Sequence, residues 1–142
     1  LYTYYMSQQT IEHNGEIYAH VFTADTPVEN GVKFFTKDED PLQVGLFDRE
    51  EGYEVVPHRH NPLSVELSPP GEFIWIQSGS VAVKIFDDDW NVIEEVTVNG
   101  SECIVILKGG HALTMLEPTR ILEVKQGPYP GREKEKTFRD AS

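Results

Sequence analysis

Residues 52–79 read GYEVVPHRHNPLSVELSPPGEFIWIQSG, and this stretch decides how the rest of the chain is interpreted. His58 and His60 lie two residues apart in a run with strand character. Side chains spaced in this way on a strand face the same side, with about 6.5–7 Å between their Cα atoms. Glu72 begins the apolar run that follows the turn signal Pro-Pro-Gly. The stretch therefore predicts two strands separated by a long loop, one carrying two imidazoles and the other starting with a carboxylate.

A third imidazole comes from His111, which follows two glycines at the end of another apolar run. Together with His58, His60 and Glu72 it makes a set of three nitrogen donors and one oxygen donor. Such a set suits iron, manganese, nickel, copper or zinc better than calcium or magnesium. We therefore expect these four side chains to bind one divalent transition metal. The alternative is a pocket without metal, in which the same histidines act as acid and base.

The whole chain has the pattern of an all-β protein. About ten short apolar runs are separated by turns rich in glycine, proline and asparagine, which is typical of a β-sandwich or β-barrel. We expect a single domain over residues 1–142, with a core at about 40–126 and a tail at 127–142. Strands within residues 1–36 are expected to pack on this core, and residues 1–9 to form an arm or an edge strand.

The composition excludes several kinds of partner. The net charge of −12 argues against nucleic acid, whose phosphates require clustered lysine and arginine. No apolar run approaches the length of a membrane span, so no membrane partner is expected. The single cysteine, Cys103, cannot form an internal disulfide and fits a reducing compartment. We therefore expect a cytoplasmic protein whose partner is a small molecule.

The spacing of the histidines and glycines resembles the cupin superfamily. The first cupin motif runs from a glycine through His-x-His and a glutamate to a second glycine. It is matched here by Gly52, His58, His60, Glu72 and Gly79, with a longer interval than usual before the glutamate. The second motif runs from a glycine to a histidine eleven positions later, and Gly100 and His111 have this spacing, whereas Met115 stands where asparagine is usual.

The resemblance implies a fold and a class of function. Cupins are double-stranded β-helix barrels of the jelly-roll type, and many bind a metal through three histidines and a glutamate. The C-terminal sequence EVKQGPY is similar to that of a group of small cupins, which makes Lys125 and Gln126 candidate substrate contacts. The implied function is a metal-dependent isomerase, epimerase or dioxygenase acting on a sugar-like compound or a hydroxy or keto acid, with His111 as a candidate catalytic base. The alternatives are a non-catalytic module that binds a small ligand or metal, and a metal-free sugar-nucleotide isomerase.

The carboxylate ligand has a rival in Glu66. This residue lies six positions after His60, which is nearer to the usual spacing of the cupin motif. Glu72, however, follows a turn directly, begins a strand and keeps the usual interval to Gly79, whereas Glu66 lies in a loop with prolines nearby. We therefore expect Glu72 to be the ligand and the additional loop residues to lie over the mouth of the barrel.

Alternation along the strand that Glu72 begins predicts which side chains face the core. Glu72, Ile74 and Ile76 are expected to point inward, which leaves Phe73 and Trp75 on the outer face. An apolar outer face is typical of a partner surface, so we expect a homodimer that uses this face or the N-terminal strands. The alternative is that the chain's own N-terminal strands cover it.

Overall fold

The computed structural model describes residues 8–67 and 69–140, which form an almost entirely antiparallel β structure. In chain order its strands are β1 (Gln9–His13), β2 (Glu16–Thr23), β3 (Val32–Phe34), β4 (Gly45–Phe47), β5 (Glu72–Ser78), β6 (Ser80–Phe86), β7 (Val92–Asn99), β8 (Glu102–Ile106), β9 (Gly110–Met115) and β10 (Arg120–Lys125). The helical elements are one 3-10 turn (Glu29–Gly31) and the short helix α1 (Arg132–Glu135). The predicted all-β class is thus confirmed. Within the described ranges no helix is long and apolar enough to cross a membrane.

The strands form three antiparallel sheets. A five-stranded sheet has the order β1-β2-β8-β5-β10, a three-stranded sheet has the order β7-β6-β9, and β3 pairs with β4. Among the described residues these sheets do not close into a barrel, so the jelly-roll closure stays a prediction. The arm or edge strand expected at residues 1–9 falls mostly on residues 1–7, which lie outside the described ranges.

The main core lies between the five-stranded and the three-stranded sheet. Ile74 and Ile76 of β5 are each 1% exposed and face the buried side chains of β6. The other buried members of this cluster are Ile11, Tyr18, Ala19, Val21, Val81, Val83, Ile85, Val96, Val98, Ile104 and Ile106. The inward alternation predicted for Ile74 and Ile76 is therefore confirmed, and it places Glu72 at the end of the same inner face.

A second apolar cluster covers the outer face of the five-stranded sheet. Phe73 and Trp75 are half-buried there and pack with Phe22 and Phe35, whose rings stack with centroids 3.9 Å apart. Leu42, Val44 and Leu46 complete the cover. The outer face is thus covered largely by residues 35–46 of the same chain. Most of these residues follow the N-terminal strands (residues 1–36) that were expected as the alternative cover.

Residues 53–59 differ from the prediction, because they form no strand, whereas residues 61–67 lie in a loop as expected. The expected strand at 53–59 contains adjacent Val55 and Val56, which break the alternation, and Pro57, which has no backbone N–H to donate to a sheet. Val55 and Val56 are 70% and 76% exposed. The strand character assigned to the segment that carries His58 and His60 is therefore wrong for this structure.

Candidate functional site

Glu72 and His111 meet at one end of the space between the two large sheets. Glu72 begins β5, and His111 lies opposite the buried Ile85 in the pairing of β9 with β6. The distance from His111 Nε2 to Glu72 Oε2 is 3.1 Å, and the two side chains are 33% and 18% exposed. Two residues that are far apart in the sequence, and that were predicted to share a site, are therefore in direct contact at an edge that solvent can reach.

The surroundings of Glu72 keep its carboxylate ionised. Burial is the largest influence and opposes ionisation, but it is outweighed by the hydrogen bond and the charge of His111, by a hydrogen bond with Glu123 and by the charge of Lys136. Together these groups hold the pKa of Glu72 below its ordinary value of 4.5. At neutral pH Glu72 is thus an anionic oxygen donor, which is the state that a metal ligand requires.

His58 and His60 lie close to each other in the exposed segment 53–67. Their ring centroids are 5.4 Å apart, and the ring planes make an angle of 51°. The distance from His58 Nδ1 to the carbonyl oxygen of Val56 is 2.8 Å, so Nδ1–H donates to this carbonyl. That bond leaves Nε2 of His58 as an acceptor, and histidines that bind metals are commonly oriented by a backbone carbonyl in this way.

The structure thus divides the four predicted ligands into two pairs. Glu72 contacts His111, and His58 lies beside His60, but the two pairs do not converge. In the residues that the structure describes, no group of three or more histidine, cysteine, aspartate or glutamate side chains is placed to hold a metal. The four-ligand site stays a prediction, and the rival Glu66 lies exposed in the same loop as the histidine pair.

Strand β10 brings two further charged residues to Glu72. Lys125 lies directly opposite Glu72 in the pairing of β10 with β5, and Glu123 lies opposite Ile74 on the same inner face. Lys125 Nζ is 2.9 Å from Glu135 Oε1 and 3.8 Å from Glu123 Oε1. The hydrogen bond from Lys125 to Glu135 raises the pKa of the lysine. The sequence analysis missed Glu123, although alternation from Lys125 along β10 would have placed it on the inner face.

The two candidate substrate contacts occupy different places. Lys125 lies beside Glu72, whereas Gln126 follows β10 and its Nε2 donates to the carbonyl oxygen of Gly127 at 2.8 Å. Gln126 lines an open cleft of about 1050 Å³, together with Glu66 and Lys108. None of the four predicted metal ligands is among the described residues that line this cleft. Gln126 thus lines a different space from the one in which Glu72 and His111 meet.

His20 has a structural role. It is 5% exposed, and its Nδ1 lies 2.9 Å from Gln8 Nε2 and 3.0 Å from Thr10 Oγ1, so it joins β2 to the strand beside it. Burial lowers its pKa below the ordinary value of 6.5, Asp40 opposes this, and Lys37 adds to it. A buried neutral histidine with polar neighbours stabilises the sheet.

Comparisons with protein families, with curated proteins and with solved structures found no match for this chain. The cupin resemblance therefore stays an expectation that depends on the motif residues.

Proposed function

We propose that this chain is a cupin-type metalloprotein in which His58, His60, Glu72 and His111 bind one divalent transition metal. The observation that carries the proposal is the 3.1 Å contact between Glu72 and His111. These two side chains come from the two motifs that resemble cupins and lie on different sheets. A cation between them would take the place of the proton that now joins them, and both groups are suitable donors for iron, manganese, nickel, copper or zinc.

The proposal requires the histidine pair to reach this contact. Segment 53–67 is long for a loop without secondary structure, and such loops are commonly functional. It also exposes apolar side chains, among them Tyr53 and Leu63, which are 57% and 83% exposed. In the described sheets β9 and β10 each pair with a single strand, so each has a free edge beside the Glu72–His111 contact. Packing the segment against one of these edges would bury its apolar side chains and bring His58 and His60 to the other two ligands.

The chemistry that fits this site is the conversion of a small oxygen-rich metabolite. A metal bound there would supply a Lewis acid that polarises a carbonyl or hydroxyl oxygen of the substrate. The chain's own residues then hold and move protons: Glu123 lies beside Glu72, and Lys125 supplies a cation for a substrate anion. We propose a sugar-like compound or a hydroxy or keto acid as the substrate. We favour isomerisation by proton transfer over oxygen chemistry, with Glu123 as the base in the metal-bound site and His111 as the base in the metal-free alternative.

The metal content of the purified protein tests this proposal. We expect about one metal per chain in the unchanged protein by elemental analysis. Glu72→Gln should lower the content sharply because it removes an anionic ligand, whereas Glu66→Gln is the matched control and should retain the metal. Loss of metal in Glu66→Gln together with retention in Glu72→Gln would show that the ligand has been assigned to the wrong carboxylate.

We also propose that the protein is a cytoplasmic homodimer. The part of the outer face that the described residues leave uncovered lies on the edge strand β10, where Leu122 and Val124 are 49% and 48% exposed. These side chains continue the apolar surface of Trp75 and Phe73, their pairing partners on β5. Light scattering at micromolar concentration should give the mass of two chains, and a monomer that persists at high concentration contradicts the proposal.

A further inference from the structure

A cavity of about 410 Å³ lies between the C-terminal tail and strands β6 and β9. The sheet side contributes Phe86, Trp90 and His111, and the tail contributes Lys136, Phe138 and Arg139. This volume is within the range of small-molecule sites, and the walls combine apolar surface with a few polar groups, as such sites commonly do. Apart from His111, none of these residues was singled out from the sequence.

The aromatic wall of the cavity is held in place by the backbone. The rings of Phe86 and Trp90 are 5.7 Å apart and meet edge to face at 67°. Trp90 has a φ of 65°, a left-handed conformation that is uncommon for a bulky residue. Gly110 lies against the indole, since a Cβ at this position would be 2.7 Å from Trp90 Cζ3. A strained tryptophan seated on a glycine is the kind of feature that accumulates at ligand-binding sites.

Among the described residues, one cation of the cavity, Arg139, forms no ion pair with a carboxylate. The guanidinium of Arg139 lies over the ring of Phe86, 5.4 Å from its centroid. Within the described residues, Arg139 takes part in no ion pair, although the chain carries a net charge of −12. An arginine stacked on an aromatic ring keeps its N–H groups free in the plane of the guanidinium, which matches the geometry of a carboxylate.

The tail that carries Arg139 is anchored to the rest of the site. Glu135 accepts a hydrogen bond from Lys125 at 2.9 Å, which ties α1 to the strand beside Glu72. Arg132 lies over the ring of Phe138, with its Cζ 4.5 Å from the centroid. Lys136 Nζ is 3.6 Å from Glu135 Oε1 and lines the cavity. The contact with Lys125 ties the tail to β10, and the tail's aromatic and cationic groups line the same cavity as residues of β9.

We propose that this cavity binds a small carboxylate with a ring-shaped body, the carboxylate pairing with Arg139 and the ring packing on Trp90. His111 lines the cavity and also contacts Glu72, so the cavity adjoins the predicted metal site. The claim that this ligand is the substrate rests on the proposed function, whereas the claim that it binds in the cavity does not. The proposed substrate is accordingly an organic acid that contains a ring. It is either an aromatic acid or a sugar acid.

Tryptophan fluorescence gives a direct test, because the chain has only two tryptophans. In a Trp75→Phe background the signal comes from Trp90 alone, and benzoate and glucuronate serve as the aromatic and the sugar probe. We expect at least one of them to shift the emission of Trp90 in a saturable manner. Arg139→Gln should then weaken its binding about tenfold or more, since a charge-assisted hydrogen bond is lost.

Two controls separate this site from non-specific effects. Benzyl alcohol matches benzoate without the charge and should bind much more weakly, and Arg120→Gln removes a cation from a strand outside the cavity lining and should leave binding unchanged. Equal binding of benzyl alcohol and benzoate, or an unchanged affinity in Arg139→Gln, overturns the proposal, as does the absence of any probe binding. Repeating the titration with and without added zinc separates the two proposals. Carboxylate binding in protein that takes up no metal supports the cavity and contradicts the metal site, and metal uptake without carboxylate binding does the reverse.

Discussion

Replacing Ile74 by alanine tests the packing that places Glu72 at the candidate site. Ile74 is 1% exposed and lies in the middle of β5, opposite Ile104 on one side and Glu123 on the other. The substitution removes three buried carbon atoms, which corresponds to about 2.4 kcal/mol at ~0.8 kcal/mol for each. The cavity that remains adds to this, so we expect the free energy of unfolding to fall by about 3–4 kcal/mol.

Leu122→Ala is the matched control, since Leu122 lies on the neighbouring strand with its side chain on the opposite face and 49% exposed. We expect it to cost about 1 kcal/mol. Urea unfolding followed by circular dichroism measures both free energies. If the slope of the unfolding free energy against urea concentration is unchanged in the variants, the unfolded state is not altered. For a chain of this size the melting temperature of Ile74→Ala should drop by roughly 10 °C. If Leu122→Ala were the more destabilising of the two at a concentration where the protein is monomeric, the inner face of β5 would be assigned wrongly, and with it the position of Glu72.

Two further predictions concern stability at particular residues. Burial lowers the pKa of His20, so below about pH 6.5 the unfolded chain binds more protons than the folded chain. The contribution of His20 to the free energy of unfolding is therefore complete above that pH, and it is lost as the pH falls towards the lowered pKa of His20. His20→Gln should remove this part of the pH dependence in denaturant titrations. An unchanged pH profile in this variant would contradict the assignment. Gly79 has a φ of 104°, and a Cβ there would be 2.6 Å from the carbonyl oxygen of Pro118. Gly79→Ala should lower the free energy of unfolding by about 1–3 kcal/mol more than Gly15→Ala, because Gly15 also has a positive φ but has no atom near its Cβ position. Equal melting temperatures for the two variants would show that the turn at Gly79 accommodates the methyl group without loss of stability.

The strands with regular alternation and clear turns could be predicted from the sequence. Asn14 and Gly15 both have a positive φ and join β1 to β2, as an Asn-Gly pair in a hairpin predicts. β5 begins at Glu72 directly after its Pro-Pro-Gly turn, and the inward direction of Ile74 follows from the period of two. In these segments the local turn geometry and the burial of alternate side chains both favour the same strand, so the sequence pattern was sufficient to predict it. The contact of Glu72 with His111 was also anticipated, through the motif spacing and not through any local rule.

The features that the sequence did not reveal depend on contacts between distant segments. Nothing near Trp75 shows that residues 35–46 cover its face, and nothing near Trp90 shows that the tail returns to it. Segment 53–67 was interpreted as containing a strand because its histidines are two apart, but Pro57 and the adjacent valines weaken a strand there. A strand also needs a neighbour to pair with, and its own sequence does not identify that neighbour. The strand pattern places Glu123 on the inner face, but this residue lies outside the two motifs that defined the predicted metal site.

A zinc titration of combined variants tests the central claim, that two pairs of side chains share one cation. The variants are His58→Ala with His60→Ala, Glu72→Gln with His111→Ala, and all four changes together. If one ion needs both pairs, either double variant should lose almost all of the tight binding, and the quadruple variant should be little worse, so that the losses in binding free energy are far from additive. Wild-type affinity in the variant that lacks His58 and His60, or losses that simply add, would show that the two pairs act independently and would contradict the shared site.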